Sequence, residues 1–320
     1  MRIGITGATG FVGTALLAAL RARGHRTVAL LRRAATDGLA ADERHVIGPV
    51  EAMREPERAL RGLDVLIHLA ARVHQNPKRD DAALHEAVNA RGTASLAEAA
   101  ARAGVRRFVF ASTLKVLGEE NPIDPDGRPR AFTAADPPAP QDAYGRSKAE
   151  GEARLRETAE RTGLEDVIVR PPLVYGPGVG GNFRALLRLV DSGLPLPFGA
   201  LRNRRSLVHV ETLADLLGVA AEHEAAPGRA FLVSDGEDLS TADLVRRLAK
   251  ALHRPARLMP VPPALLEAGL TLLGRRGAYR RLAGSLFVDI SDTERRLGWS
   301  PPATVDEALA RTAAWYRSRR

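Results

Sequence analysis

Tyr144 and Lys148 stand four residues apart, a spacing that on a helix points both side chains into one pocket. A phenol and an ammonium so placed suit acid–base work at a substrate hydroxyl. The tyrosine would exchange the proton; the compact lysine charge would lower the phenol's pKa and donate to a ribose hydroxyl. Composition singles the pair out further. Only four lysines (Lys78, Lys115, Lys148 and Lys250) occur among 47 basic residues, so a lysine here suggests a task that arginine, the default cation of this chain, cannot perform. Ser112 and Thr113 close the apolar run that begins at Phe108, which puts two hydroxyls at the carboxyl end of a strand, where a hydroxyl also serves as a simple cap.

These groups need a scaffold, and the amino-terminal half predicts one. A short apolar strand, residues 2–6, enters Gly7-Ala8-Thr9-Gly10-Phe11-Val12-Gly13, and a helical pattern (Val12, Leu16, Leu17, Leu20) follows as far as Gly24. Gly7 permits a tight turn, Gly10 lets backbone amides approach a pyrophosphate, and Gly13 lets helix and strand pack closely. The next strand, residues 27–31, ends in Arg32-Arg33, with no carboxylate before Asp37. An arginine at that position accommodates a 2′-phosphate, so NADP(H) is favoured and NAD(H) is the alternative. Residues 65–71 form a buried strand whose small carboxyl-terminal residues leave room for a cofactor, and a helix is expected over about 80–103. Repeated strand–helix units predict an α/β fold, a Rossmann-type doubly wound parallel sheet with ligands at the strands' carboxyl ends.

Bulk properties narrow the function classes. At 320 residues, with 45% hydrophobic and 27% charged residues, the chain has the composition of a soluble globular protein. No cysteine is present, which removes disulfides, thiolate metal sites and thiol nucleophiles and fits a cytoplasmic location; no metal site is expected. The net charge of +9 is spread along the chain with few aromatics interleaved, so a phosphate-bearing small ligand is a better partner than nucleic acid. Glycines interrupt the first apolar run, which argues against a signal peptide. The most apolar later stretch, residues 260–274, is short and carries Glu267, so it reads as a packed amphipathic helix and not a membrane anchor.

The spaced motifs together resemble the extended short-chain dehydrogenase/reductase superfamily, in particular its nucleotide-sugar epimerase/dehydratase branch. The likeness runs through essentially the whole chain. The resemblance implies a cofactor site at Gly7, Thr9, Gly10, Phe11, Val12, Gly13, Arg32, Leu69, Ala70, Ala71, Asn89, Ala111, Tyr144, Lys148 and Pro171, and catalysis by Thr113, Tyr144 and Lys148. It also implies substrate contacts at Asn182 and Arg205, near a diphosphate, and at His74 and Lys115. The dehydratases of the branch carry Asp-Glu just after the catalytic threonine; Leu114-Lys115 stands here, which argues against dehydration.

The expected organisation is a dinucleotide domain over 1–175 with a return segment at about 207–235, and a smaller α/β substrate-binding domain from 176–206 and 236–320, where prolines break regular alternation. Within it, Asn182 opens an apolar helical pattern, and Arg202, Arg204 and Arg205 compete as the diphosphate arginine. The resemblance implies a homodimer acting at C4 of a UDP-linked sugar. Reduction of a UDP-4-keto-6-deoxy-N-acetylhexosamine for surface polysaccharide is the first reading and 4-epimerisation the second. A non-catalytic NADP-sensing protein on the same fold is a third.

Overall fold

The computed structural model describes residues 1–34, 38–73, 82–274 and 276–319. Ten strands are arranged in two sheets among these residues: β1 (Arg2–Thr6), β2 (Arg26–Leu31), β3 (Glu43–Val46), β4 (Val65–His68), β5 (Arg107–Ala111), β6 (Glu165–Arg170), β7 (Leu173–Tyr175), β8 (Arg205–His209), β9 (Arg229–Leu232) and β10 (Asp238–Leu239). The large sheet has the order β3-β2-β1-β4-β5-β6-β9 and every pairing in it is parallel. Its central strands are apolar runs buried on both faces, as a parallel sheet covered by helices requires. Strand order reverses between β1 and β4, which opens a crevice at their carboxyl ends. This is the Rossmann-type sheet the alternation predicts.

The flanking helices are α1 (Phe11–Ala22), α2 (Pro56–Leu60), α3 (Ala82–His85), α4 (Gly92–Arg102), α5 (Ala143–Thr162), α6 (Gly181–Asp191), α7 (Val210–Glu222), α8 (Thr241–Ala251), α9 (Pro263–Leu272), α10 (Arg276–Ala283), α11 (Ser291–Leu297) and α12 (Val305–Ser318). Between α3 and α4 the backbone keeps helical dihedrals but widens into a π-helical segment, Glu86–Arg91. The helix expected over about 80–103 is thus continuous from Ala82 to Arg102 with a π segment at its centre, a form that often marks functional positions.

The small sheet, β10-β8-β7, packs with α6, α8 and α12 around its own core, which includes Tyr175, Phe183, Leu187, Leu207, Leu248 and Leu309. β7 lies within the expected first domain but pairs with β8. Pro171 and Pro172 separate it from β6, and prolines, lacking an N–H, end the ladder of the large sheet there. After β8 the chain returns: α7 packs beside α1, and β9 joins β6.

Trp299 is buried and its indole N–H donates to Asp215 at 2.8 Å, while Trp315 is half-buried against Arg184. The stretch expected to be a packed amphipathic helix is α9, and it departs from that picture. Leu266 is buried, but Leu265 and Leu272 are 65% and 88% exposed, so the outer face of α9 is apolar too. Among the described residues no helix is long and apolar enough to cross a membrane.

Candidate active site

The turn from β1 into α1 is built for close approach. Gly7 has φ +71°, and a Cβ there would lie 2.8 Å from the Ala70 amide nitrogen, so the turn rests directly on the residues that follow β4. Gly10 donates its N–H to the Gly7 carbonyl at 2.9 Å. A Cβ on Gly13 would sit 2.2 Å from that same carbonyl oxygen. The first turn of α1 has neither a side-chain cap nor an acidic residue, so its positive end is available to a pyrophosphate. Thr9 and Gly10 are exposed, Phe11 and Val12 half-buried, and a Cβ on Gly178, in the loop after β7, would lie 3.4 Å from the Phe11 ring. Arg32 and Arg33 are exposed just beyond β2, whereas Asp37 lies outside the described residues.

Gly13→Ala should therefore push α1 off the turn. Dinucleotide affinity is expected to fall at least ~10-fold, with a loss of about 1–3 kcal/mol in stability from overpacking. Fluorescence titration and thermal melting check this; wild-type values in both would refute it.

The residues expected to do acid–base work meet at the carboxyl end of β5. Asp142 caps α5 by accepting from the Gly145 N–H at 2.6 Å, which fixes the first turn carrying Tyr144. One turn on, Lys148 is 1% exposed, donates to the Ala111 carbonyl at 2.6 Å and lies 4.1 Å above the Phe110 ring. Thr113 caps a short 3₁₀ turn by accepting from the Lys115 N–H, and its hydroxyl hydrogen-bonds the Tyr144 phenol. Leu114 donates its N–H to the Pro171 carbonyl at 2.9 Å, tying this turn to the end of β6.

Electrostatics differ from the simple expectation that Lys148 lowers the phenol's pKa. Burial, helped by the Asp142 charge, pushes Tyr144 above its ordinary value, and the Thr113 hydrogen bond only partly opposes this. Burial likewise pulls Lys148 down to about 7, against the favourable charge of Glu152. Burial, which disfavours a charged form, is the largest cause at both groups.

Asn89, on the π segment, spans two elements. Its carbonyl oxygen accepts from the Arg72 N–H at 2.8 Å, and its amide donates to the Arg72 carbonyl and to Ser147 Oγ, both at 3.0 Å. It thereby joins the loop after β4, which contains Leu69, Ala70 and Ala71, to α5.

The expected substrate residues divide. Lys115 directs Nζ to Glu119 at 2.8 Å and to Asp142 at 2.5 Å; burial pulls its pKa down, but these two bonds hold it above the usual lysine value. It braces the cap of α5. Asn182 is exposed in the first turn of α6, whose cap is Gly180, so capping does not account for it. Arg205 opens β8 and donates Nη1 to the carbonyls of Arg281 at 2.6 Å and Gly284 at 3.2 Å. Arg204 instead pairs with Asp238 at 2.8 Å and covers the Phe287 ring; Arg202 is exposed. His74 lies outside the described residues.

Two buried groups escaped the sequence. Ser112 Oγ donates to Glu152 Oε1 at 2.5 Å, and Arg170 grips the same carboxylate through Nε at 3.0 Å and Nη2 at 2.6 Å. The available signal was helical spacing, since Glu152 continues the stripe of Tyr144 and Lys148 at another four residues. His68 is the second: it contacts Thr6 at 2.6 Å and Thr93 at 3.2 Å, stacks on Phe110, and is kept neutral by burial, its pKa pulled down to about 3.

The model of the NAD dependent epimerase/dehydratase family matches residues 3–234. The chain is 42% identical over 315 residues to a UDP-glucose 4-epimerase of Vibrio cholerae, covering 97% of this chain and 93% of that protein. A solved UDP-glucose 4-epimerase from Thermotoga maritima, with UDP-glucose, aligns with a TM-score of 0.78 at 21% identity, covering 100% of this chain and 99% of the other. A dTDP-glucose 4,6-dehydratase from Streptomyces venezuelae, with NAD bound, gives 0.78 at 25% identity, covering 100% and 98%.

Proposed function

Because the chain belongs to the NAD-dependent epimerase/dehydratase family, of extended short-chain dehydrogenase/reductase type, we propose that it acts at C4 of a UDP-hexose and that its reaction is 4-epimerisation. The convergence of Thr113, Tyr144 and Lys148 at the carboxyl end of β5 carries this reading. The glycine turn and the uncapped α1 terminus fit a dinucleotide pyrophosphate, and Lys148 fits the nicotinamide ribose. When bound, the oxidised nicotinamide supplies a hydride acceptor and a positive charge beside the phenol. Tyr144 takes the proton of the C4 hydroxyl and later returns it. Thr113 hydrogen-bonds the same oxygen and fixes its direction. Lys148, shielded from water, favours the phenolate whenever it is protonated.

On the substrate side, Arg205 spends Nη1 on two carbonyls and keeps other N–H groups for a diphosphate. Lys115, committed to Glu119 and Asp142, offers no base for removing water, in line with its replacement of the dehydratase glutamate. The Vibrio cholerae relative supports epimerisation ahead of ketoreduction.

Reduction of a UDP-4-keto-6-deoxy-N-acetylhexosamine with NADPH is the second reading, favoured by Arg32 and Arg33 exposed where a 2′-phosphate would lie. Incubation of the purified protein with UDP-galactose separates the two. UDP-glucose is expected to accumulate without net oxidation of added NADPH. Stoichiometric NADPH oxidation by the 4-keto sugar, with no epimer formed, would overturn the first reading in favour of the second.

A further inference from the structure

The outer face of α9 is apolar where a surface helix normally carries charge. Leu265 and Leu272, seven residues apart and so on one face, are 65% and 88% exposed, with exposed Ala268 and Gly269 between them. Leu273, at the end of the helix, is 71% exposed. The opposite side is already in use: Leu266, Leu270, Tyr279 and Leu282 pack on the core of the small sheet. A helix apolar on both faces calls for a second cover.

Charge indicates what that cover is. Across α9 and α10 the sequence has one carboxylate, the half-buried Glu267, against four arginines (Arg275, Arg276, Arg280 and Arg281), and Arg280 and Arg281 are exposed on α10. Exposed leucines beside exposed arginines, in a stretch rich in arginine and poor in carboxylates, form the pattern of a segment lying in a membrane interface, with leucines among the acyl chains and guanidinium groups at lipid phosphates. A second copy of the same face would bring like charges together, which disfavours self-pairing.

We propose that the α9–α10 hairpin is an interfacial anchor that seats this protein on an anionic lipid bilayer without crossing it. The anchor is joined to the site: Arg205 holds the carbonyls of Arg281 and Gly284, and Thr241 Oγ donates to the Leu282 carbonyl at 2.5 Å. Docking would therefore place the bilayer beside the strand that opens with Arg205. The proposal stands apart from the choice of sugar, because binding to vesicles is read without turnover.

The test is co-sedimentation of the full chain with phosphatidylcholine vesicles, with and without phosphatidylglycerol. Sedimentation is expected with the anionic vesicles only, weakening as salt rises. The pair Leu272→Gln and Leu273→Gln should lower partitioning at least ~10-fold with no change in melting temperature, since both side chains face solvent; Leu265→Gln gives an independent, smaller loss. Wild-type protein left in the supernatant would overturn the proposal, as would variants that sediment like wild type. So would variants that halve the mass in light scattering, since the patch would then be covered by a second copy.

Discussion

Tyr144→Phe is expected to lower turnover at least ~10²-fold while dinucleotide affinity stays near wild type. The substitution removes one oxygen and leaves the ring, its edge contact with His85 and the cap of α5 in place. What is lost is the group that exchanges the substrate proton and receives the Thr113 hydrogen bond. Lys148 keeps its bond to Ala111, and the glycine turn is built on β1, α1 and the residues after β4, so the binding part of the site is expected to persist. Steady-state rates with UDP-galactose, set against a dinucleotide titration of the same variant, check both halves. Turnover equal to wild type would remove Tyr144 from the chemistry. If neither wild type nor variant turns over any UDP-hexose while both bind dinucleotide, the non-catalytic sensing protein becomes the better description.

The fold and the placing of Tyr144 and Lys148 on one helix face were legible because each rests on local sequence constraints. Gly13 tolerates no side chain where its Cβ position falls 2.2 Å from a carbonyl oxygen, and helical periodicity alone brings Tyr144 and Lys148 to one face. Partner choice was not legible, because it depends on contacts far apart in sequence. Nothing in the sequence shows that Lys115, read as a substrate contact, donates to Asp142, 27 residues later. Three arginines at 202–205 are equivalent in sequence and separate only when Asp238 and Phe287 claim Arg204. The π segment around Asn89 has no compositional mark at all. The packed face of α9 was legible from the short length of the segment and Glu267, but the exposure of its outer leucines was not, because exposure depends on what the rest of the chain brings to cover them.

Glu152→Gln should show how far the buried network behind the site supports it. Glu152 and Arg170 are 3% and 2% exposed, and the guanidinium Nη1 has no partner, so Arg170 depends on this one carboxylate for its compensating charge. Neutralising Glu152 leaves a buried guanidinium unpaired, at an expected cost of about 3–5 kcal/mol in unfolding free energy measured by urea denaturation. Replacing both partners, Glu152→Leu with Arg170→Met, should recover much of that loss, because no unpaired charge remains and only the Ser112 hydroxyl loses its acceptor. A single variant as stable as wild type would mean that water reaches the pair. The same substitution bears on catalysis. Glu152 is the charge that opposes the fall of the Lys148 pKa, so its neutralisation should carry that pKa below about 7. If turnover requires the ammonium, the alkaline limb of the rate–pH profile then moves to lower pH. The double variant, which also lacks the carboxylate, should keep that displaced limb while regaining stability. Fold support and proton control would thus separate in two measurements on one residue.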